Sequence, residues 1–401
     1  MPAPATADDF LEMLRKSGVV PASRLDAAVD ALRAAGTLPG QPQALADLLI
    51  RDGLVTHFQV QNFLQGKYLG FVLGNYRILD LLGSGGMSAV YLCEDFKAGK
   101  RLALKVLPRS LARDPTILRR FYREARASFT LDHPNIVRGY EVGQENNQHF
   151  FVMEYVEGQS LQEIVHKTGP LPVDRAVEYV RQAAVGLQHA YEAGLVHRDI
   201  KPGNLLIDRT GTIKILDMGL SRFYNDEDSV LTKDVLGTLD YLAPEQAEDS
   251  HTVDTRADIY ALGGTFYYIL TAQSPLSGDT LDPRAIAQHA LRRRPIRDLR
   301  PEVPESLIAI VNRMMAVDAT KRFPNPAAVA NALRHWQQGV TAPPEPETEP
   351  APAPTPRPRP TQPGKVGTTA KRLALRWAMI GGGLLLVLGV VVVVWWMSIR
   401  P

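Results

Sequence analysis

The spacing of apolar residues changes along the chain, and each change predicts a different element. Within residues 1–72 the apolar positions recur at helical intervals, first Leu25, Val29 and Leu32, then Val60, Phe63 and Leu64. Ser23-x-x-Asp26 and Thr56-x-x-Gln59 stand before these runs as capping boxes, the signature of a helix start. The stretch also answers itself at an offset of 35 residues: Leu14-x-x-x-Gly18-Val19-Val20 parallels Leu49-x-x-x-Gly53-Leu54-Val55. Two stacked helical hairpins would produce that repeat, and so would chance in Leu/Ala-rich sequence. With no catalytic constellation in it, the segment reads as a small helical interaction module. Beyond it the pattern shortens into strand-like apolar runs at 76–82, 90–93, 103–106, 150–155 and 213–216.

Near the C-terminus the pattern changes twice more. Residues 341–370 hold ten prolines interleaved with Thr, Glu and Arg, a composition that buries no core and behaves as a stiff spacer, here taken as a linker over 340–372. Residues 377–397 carry no charge and include five consecutive valines from Val390. A helix of that length reaches about 31 Å, enough to span a hydrocarbon core. Trp377 and the pair Trp395-Trp396 sit at its two ends, as an interfacial belt would. Lys371, Arg372 and Arg376 precede the run and Arg400 alone follows it, so everything N-terminal is expected in the cytoplasm and only 398–401 outside. The expected arrangement is a single-pass C-terminal membrane anchor.

Composition narrows the rest. A length of 401 residues suggests two or three domains, and a net charge of +2 leaves no nucleic-acid footprint. The single cysteine, Cys93, excludes an intrachain disulfide and fits a reducing compartment. The opening Ala7-Asp8-Asp9-Phe10-Leu11-Glu12 is acidic and has no uninterrupted apolar core, so no secretory signal is expected.

The chemistry concentrates in between. His197-Arg198-Asp199-Ile200-Lys201-Pro202-Gly203-Asn204 places an Asp, a Lys and an Asn at a spacing that phosphoryl transfer can use. The Asp can take a proton from a hydroxyl, the Lys can hold a phosphate and the Asn can ligate a metal. Eighteen residues after Asp199 stands Asp217, in Asp217-Met218-Gly219 behind a strand pattern. Gly83-Ser84-Gly85-Gly86-Met87-Ser88-Ala89-Val90 lies between two strand-like runs, where glycine lets the backbone approach a phosphate and present its N–H groups. Lys105 sits inside an apolar run, and Glu124 follows nineteen residues later. Arg119, Arg120, Arg123 and Arg126 crowd the helix that carries Glu124, so on its own that carboxylate reads as part of a solvated face.

Taken in order, these motifs resemble the protein kinases, and Lys201, two residues after Asp199, resembles the serine/threonine branch. The resemblance covers 76–336 and implies an α+β, bilobal protein-kinase fold, preceded by the helical N-terminal module and followed by the C-terminal transmembrane helix. It implies that Asp199 is the catalytic base or hydroxyl-orienting residue and that Lys201 stabilises the γ-phosphate. Asn204 and Asp217 would bind magnesium, with manganese as an alternative ion, since oxygen ligands suit hard cations. ATP would lie under Leu82, Gly83, Ser84, Gly85, Gly86, Met87, Ser88 and Val90. Lys105 would hold its α- and β-phosphates and pair with Glu124, and the backbones of Glu154 and Val156 would take the adenine, with Met153 guarding the back pocket. Ser88 stands where the family has a third glycine, and Met218 where it has Phe.

Ala243-Pro244-Glu245 resembles the close of the activation segment. Within that segment Thr232 is the first choice for a regulatory phosphosite, with Ser229 beside it, and Thr238 matches the position that touches the catalytic Asp and Lys. Asp258 resembles the brace of the catalytic loop and Arg322 the partner of Glu245. The expected whole is a membrane-anchored serine/threonine kinase of the eukaryotic-like bacterial type, on the inner membrane with its kinase domain cytoplasmic. It would act on protein substrates and not on nucleic acid, and a homodimer would serve autophosphorylation in trans. The competing readings are a catalytically silent kinase-like scaffold at the membrane and a small-molecule kinase; Thr238 and Glu245 argue against the latter.

Overall fold

The N-terminal repeat is a pair of helical hairpins. Helix α1 (Ala7–Ser17) starts at a Thr6/Asp9 capping box and ends at Gly18, and α2 (Ala22–Ala34) follows a four-residue turn. Helix α3 (Pro42–Arg51) and α4 (His57–Phe63) repeat the arrangement, with Thr56 and Gln59 forming the capping box of α4 as expected. Both turns pass through a left-handed glycine, Gly18 at φ 71° and Gly53 at φ 66°, which a side chain would strain. Val19-Val20 and Leu54-Val55 then turn inward and are buried. The other expected capping box, Ser23/Asp26, is absent: α2 begins behind Pro21 with no side-chain cap, so Ser23 falls inside the first turn. Proline with its preset φ starts that helix instead, and Asp26 bridges to Arg15 of α1 at 3.0 Å.

The computed structural model describes residues 2–85, 88–218, 240–248, 253–276 and 293–340. Strands β1 (Val72–Leu73), β2 (Tyr76–Ser84), β3 (Ala89–Asp95), β4 (Arg101–Leu107), β5 (Gly139–Glu145) and β6 (Gln148–Glu154) form a six-stranded antiparallel sheet in the order β1-β2-β3-β4-β6-β5. Its central strands are covered on both faces. Leu102, Leu104, Phe150 and Val152 share one core with Phe10, Leu14, Leu25, Leu49 and Phe63 of the helical hairpins. Their neighbours Ala103, Leu107, Phe151 and Met153 pack on the opposite face against Phe121 and Ala125 of α5 (Pro115–Phe129). Burial on both faces explains why these strands read as unbroken apolar runs rather than as alternation. The hairpins and the sheet therefore share a hydrophobic core, and β1 crosses from one to the other by pairing with β2.

A second core belongs to the helical lobe. Helices α6 (Leu161–Thr168) and α7 (Val173–Glu192) lead to a three-stranded sheet of β7 (Gly158–Ser160), β8 (Leu205–Asp208) and β9 (Ile213–Ile215). The lobe continues through α8 (Pro244–Glu248), α9 (Thr255–Thr271), α10 (Ile296–Leu299), α11 (Glu305–Met314) and α12 (Pro326–Gln337). Helix α9 is buried along almost its whole length and packs against α7, α11 and α12. Between the lobes the chain runs from β6 to β7, where Gly158 is needed for space: a Cβ there would lie 1.9 Å from Ile207 O. Met218 joins the core of this larger lobe.

Among the described residues no helix is long and apolar enough to cross a membrane. The expected linker from 341 onward and the expected span 377–397 lie outside the described residues, as do Gly86, Met87, Ser229, Thr232 and Thr238.

Candidate active site

Lys105 reaches the cleft because β4 alternates. Ala103 and Leu107 face α5, and Lys105, midway between them, shares their side of the sheet. On α5, Phe121, Glu124, Ala125 and Ser128 form the buried stripe, spaced as one helix face requires, so Glu124 enters the interior in spite of the arginines around it. The two meet: Lys105 Nζ lies 2.5 Å from Glu124 Oε1 and 2.9 Å from Asp217 Oδ1. One buried cation thus serves two carboxylates, Glu124 buried and Asp217 half-buried. Burial, opposed by Lys105 but reinforced by the Asp217 charge, pushes Glu124 up to about 7. For Asp217 burial acts upward too, yet the adjoining Lys105 prevails and holds it below the ordinary carboxylate range. Burial alone would lower Lys105; the two carboxylates raise it instead. The lysine is therefore a fixed positive charge in the cleft.

The catalytic loop is held from three sides. Asp258, on the buried α9, accepts the N–H groups of His197 at 2.8 Å and Arg198 at 2.7 Å. Burial pushes this carboxyl up, against the pull of His197 and the two N–H bonds. Gln246 Nε2 donates to the Arg198 carbonyl at 2.8 Å. Arg198 adopts φ 66° and Asp217 φ 53°, left-handed conformations that cost a non-glycine residue about 1–3 kcal/mol unless its surroundings impose them. Here both sides of the Arg198 peptide are bonded.

The same loop grips the strand end that carries Asp217. His197 Nε2 donates to Leu216 O at 2.7 Å, while its Nδ1 accepts the Asp199 N–H at 3.2 Å, which assigns the tautomer. Leu216 N–H donates to Asn204 O at 2.9 Å. With both backbone groups of Leu216 tied to the catalytic loop, Asp217 is delivered beside it. Asn204 Nδ2 donates to Asp199 O at 2.7 Å and to Asp199 Oδ2 at 3.0 Å, and Lys201 Nζ lies 3.2 Å from the same Oδ2. The Asn204 amide nitrogen is thereby committed to Asp199, which leaves the amide oxygen as its ligand end. That oxygen and the Asp217 carboxylate are hard oxygen donors of the kind that suits a divalent cation.

At the nucleotide end, β2 and β3 pair as far as Gly83 with Val90 and Ser84 with Ala89, and Gly85 N–H donates to Ser88 O at 2.9 Å to close the turn. Leu82 is exposed at the cleft mouth and Val90 is half-buried. At the end of β6, Glu154 N–H donates to Arg138 O at 2.8 Å. Its side chain pairs with Lys214 at 2.7 Å. Val156 and Met153 are buried. Glu245, at the end of the activation segment, meets Arg322 in a two-pronged pair at 2.5 and 2.8 Å.

Sequence reasoning missed Gln246 and Lys214. Lys214 had a signal, a polar residue between Ile213 and Ile215; Gln246 had none, because its partner lies 48 positions away.

These side chains converge where the two lobes meet, and residues 76–336 match the family model described as the protein kinase domain. The chain belongs to that family. It is 38% identical over 277 residues to the serine/threonine-protein kinase PknB of Mycobacterium leprae, covering 67% of this chain and 44% of that protein. The serine/threonine-protein kinase PrkC of Bacillus subtilis is 38% identical over 252 residues, covering 63% of this chain and 39% of its own length. Among solved structures, the PknI kinase domain of Mycobacterium tuberculosis superposes with a TM-score of 0.55 at 27% identity, covering 68% of this chain and 98% of that domain. The chain thus spans less than half the length of these curated relatives.

Proposed function

We propose that the chain is a serine/threonine protein kinase of the eukaryotic-like bacterial kind, moving the γ-phosphoryl group of ATP to protein hydroxyls. The carrying observation is the joined set Glu124–Lys105–Asp217 beside Asp199–Lys201–Asn204, which supplies the side chains that such a transfer uses around its metal. Magnesium bound there supplies neutralisation of phosphate charge. Lys105 holds the α- and β-phosphates, kept in place by Glu124. Asp199 orients the acceptor hydroxyl and takes its proton at a carboxylate oxygen, while Lys201, beside it, faces the transferring group. Asn204 and Asp217 present oxygens to the metal. The work is positioning and charge, with no covalent enzyme intermediate. The PknB and PrkC names support the choice of serine and threonine.

The finer reading adds that Thr232, with Ser229 near it, is autophosphorylated within a homodimer, Arg198 receiving the phosphate. It also adds that 377–397 anchors the chain in the inner membrane with the kinase domain cytoplasmic. What supports these is the sequence: hydroxyls between Asp217 and Glu245, and an uncharged 21-residue run behind basic residues. The test is transfer from magnesium-ATP to a protein acceptor, with the modified residues identified by mass spectrometry. Phosphoserine and phosphothreonine are expected, and phosphotyrosine alone would overturn the reading.

A further inference from the structure

The capping box that opens α4 holds more than its own helix. Thr56 Oγ1 accepts the Gln59 N–H at 3.2 Å, and Gln59 Oε1 accepts the Thr56 N–H at 2.9 Å. That reciprocal pair satisfies the helix start, yet each side chain retains a donor. Both donors go to β2. The Thr56 hydroxyl donates to Leu79 O at 2.6 Å, and Gln59 Nε2 donates to Ile78 O at 2.6 Å. Gln59 is 1% exposed, so its amide has no solvent alternative.

These two carbonyls lie where β2 leaves register. Ile78 faces Cys93 but Asp80 faces Leu92, which makes Leu79 the extra residue of a bulge. A bulge leaves ladder groups unpaired and redirects the strand beyond it. Beyond it the strand slips register once more, between Leu81 and Gly83, at the entry to the glycine-rich loop. The first hairpin holds the preceding residue as well: Arg77 Nη1 donates to Val19 O at 2.8 Å. Three consecutive residues of β2 are thus bonded to the N-terminal helices just before the strand enters the loop.

We propose that Thr56 and Gln59 are positioning residues for the glycine-rich loop, acting through the β2 bulge, so that the N-terminal module sets the kinase's grip on ATP. The proposal rests on the kinase reading above. Residue choice carries the specificity. A glutamate at 59 would complete the capping box equally well, since it too accepts the Thr56 N–H, but as a carboxylate it has no donor for Ile78 O. The glutamine is needed for the strand, not for the helix.

That distinction supplies the experiment, made on the full chain with Thr56→Ser, Gln59→Glu and Gln59→Met. Thr56→Ser keeps acceptor and donor and is expected to match the parent chain. In the Gln59 variants KM for ATP should rise about fivefold, the worth of one net hydrogen bond, with kcat at saturating ATP and KM for the protein acceptor within about twofold. Hydrogen exchange, followed by mass spectrometry, should quicken about tenfold in peptides covering 76–85 and stay unchanged in α5 and α9. A merely structural role would quicken exchange through the whole lobe, or leave KM for ATP unmoved in Gln59→Glu; either result overturns the proposal. Were the parent chain to transfer no phosphate, the kinase reading would fall, and the exchange pattern would still decide whether the clamp exists.

Discussion

Lys105 Nζ lies 2.9 Å from Asp217 Oδ1, joining the small lobe to the strand end beside the catalytic loop through residues 112 positions apart. The same nitrogen is held by Glu124, so α5, β4 and the end of β9 are locked to one charge. This arrangement makes the site sensitive to anything that alters one of the three groups.

Acidity is the first such change. Glu124 is pushed up to about 7 from an ordinary 4.5, so in the free enzyme part of it is protonated below neutrality. Ionisation completes the pair with Lys105, and kcat/KM for ATP should therefore rise with pH through about 7. In Glu124→Gln that rise should vanish, with the activity deficit greatest above pH 7 and shrinking as the pH falls below it. Stability runs the other way: the folded state holds this proton more tightly than the unfolded chain, so its contribution is full below 4.5 and is lost as pH climbs toward about 7. A pH–rate profile of the parent and Glu124→Gln enzymes checks the sign, and identical profile shapes would contradict it.

Arg322 is a structural counterpart. Its guanidinium is fully buried, pairs with Glu245, donates to the carbonyls of Ala316, Val317 and Arg256, and lies over the Tyr260 ring at 4.8 Å. Arg322→Ala leaves the Glu245 carboxylate and these carbonyls without their partner, and should destabilise the fold by about 3–5 kcal/mol. Denaturant unfolding measures this. A change under about 1 kcal/mol, the range of an exposed pair, would contradict the burial argument.

Removal of residues 1–70 should not yield a clean kinase domain. It would uncover Leu102, Leu104, Phe150, Val152, Tyr76 and Ile78, each buried side chain contributing roughly 1.5–3 kcal/mol when large and fully covered. The expected outcome is an insoluble or aggregated product, with solubility restored when the hairpins are retained. A monomeric, cooperatively folding 76–340 fragment would show that the shared core is dispensable.

Membrane attachment is tested by fractionation. The full chain should sediment with membranes and resist alkaline extraction, whereas a chain ending at 370 should not. Extraction of the full chain at high pH would contradict the anchor.

How far the site was legible depended on whether a residue's role is local. Lys105 could be placed because a lysine between Leu104 and Val106 has strand parity to orient it. Asp199, Asn204 and Asp217 could be placed because their spacing is their chemistry. Asp258 and Arg322 came from the family resemblance, and the contacts agree. Glu124 shows the limit: the arginines alone suggested a solvated face, the pairing with Lys105 came from the family resemblance, and the stripe Phe121–Ala125–Ser128 shows which side turns inward. Gln59 and Gln246 were out of reach, since each acts on a carbonyl 19 and 48 positions away. Ser23 misled because Pro21 starts the helix two residues earlier than a serine cap would. The shared core was readable in principle, as strands apolar on both faces require two covers.

The most direct measurement is phosphate incorporation by the full chain with magnesium-ATP, beside Asp199→Asn and Lys105→Met, with sites mapped by mass spectrometry. The account predicts incorporation on serine or threonine by the parent chain, with at least a hundredfold less in either variant, an order set by losing a positioned acid–base or charge-stabilising group. Equal incorporation by parent and Asp199→Asn would contradict it, because the loop built by Asp258, His197 and Asn204 would then be holding a residue the reaction does not use.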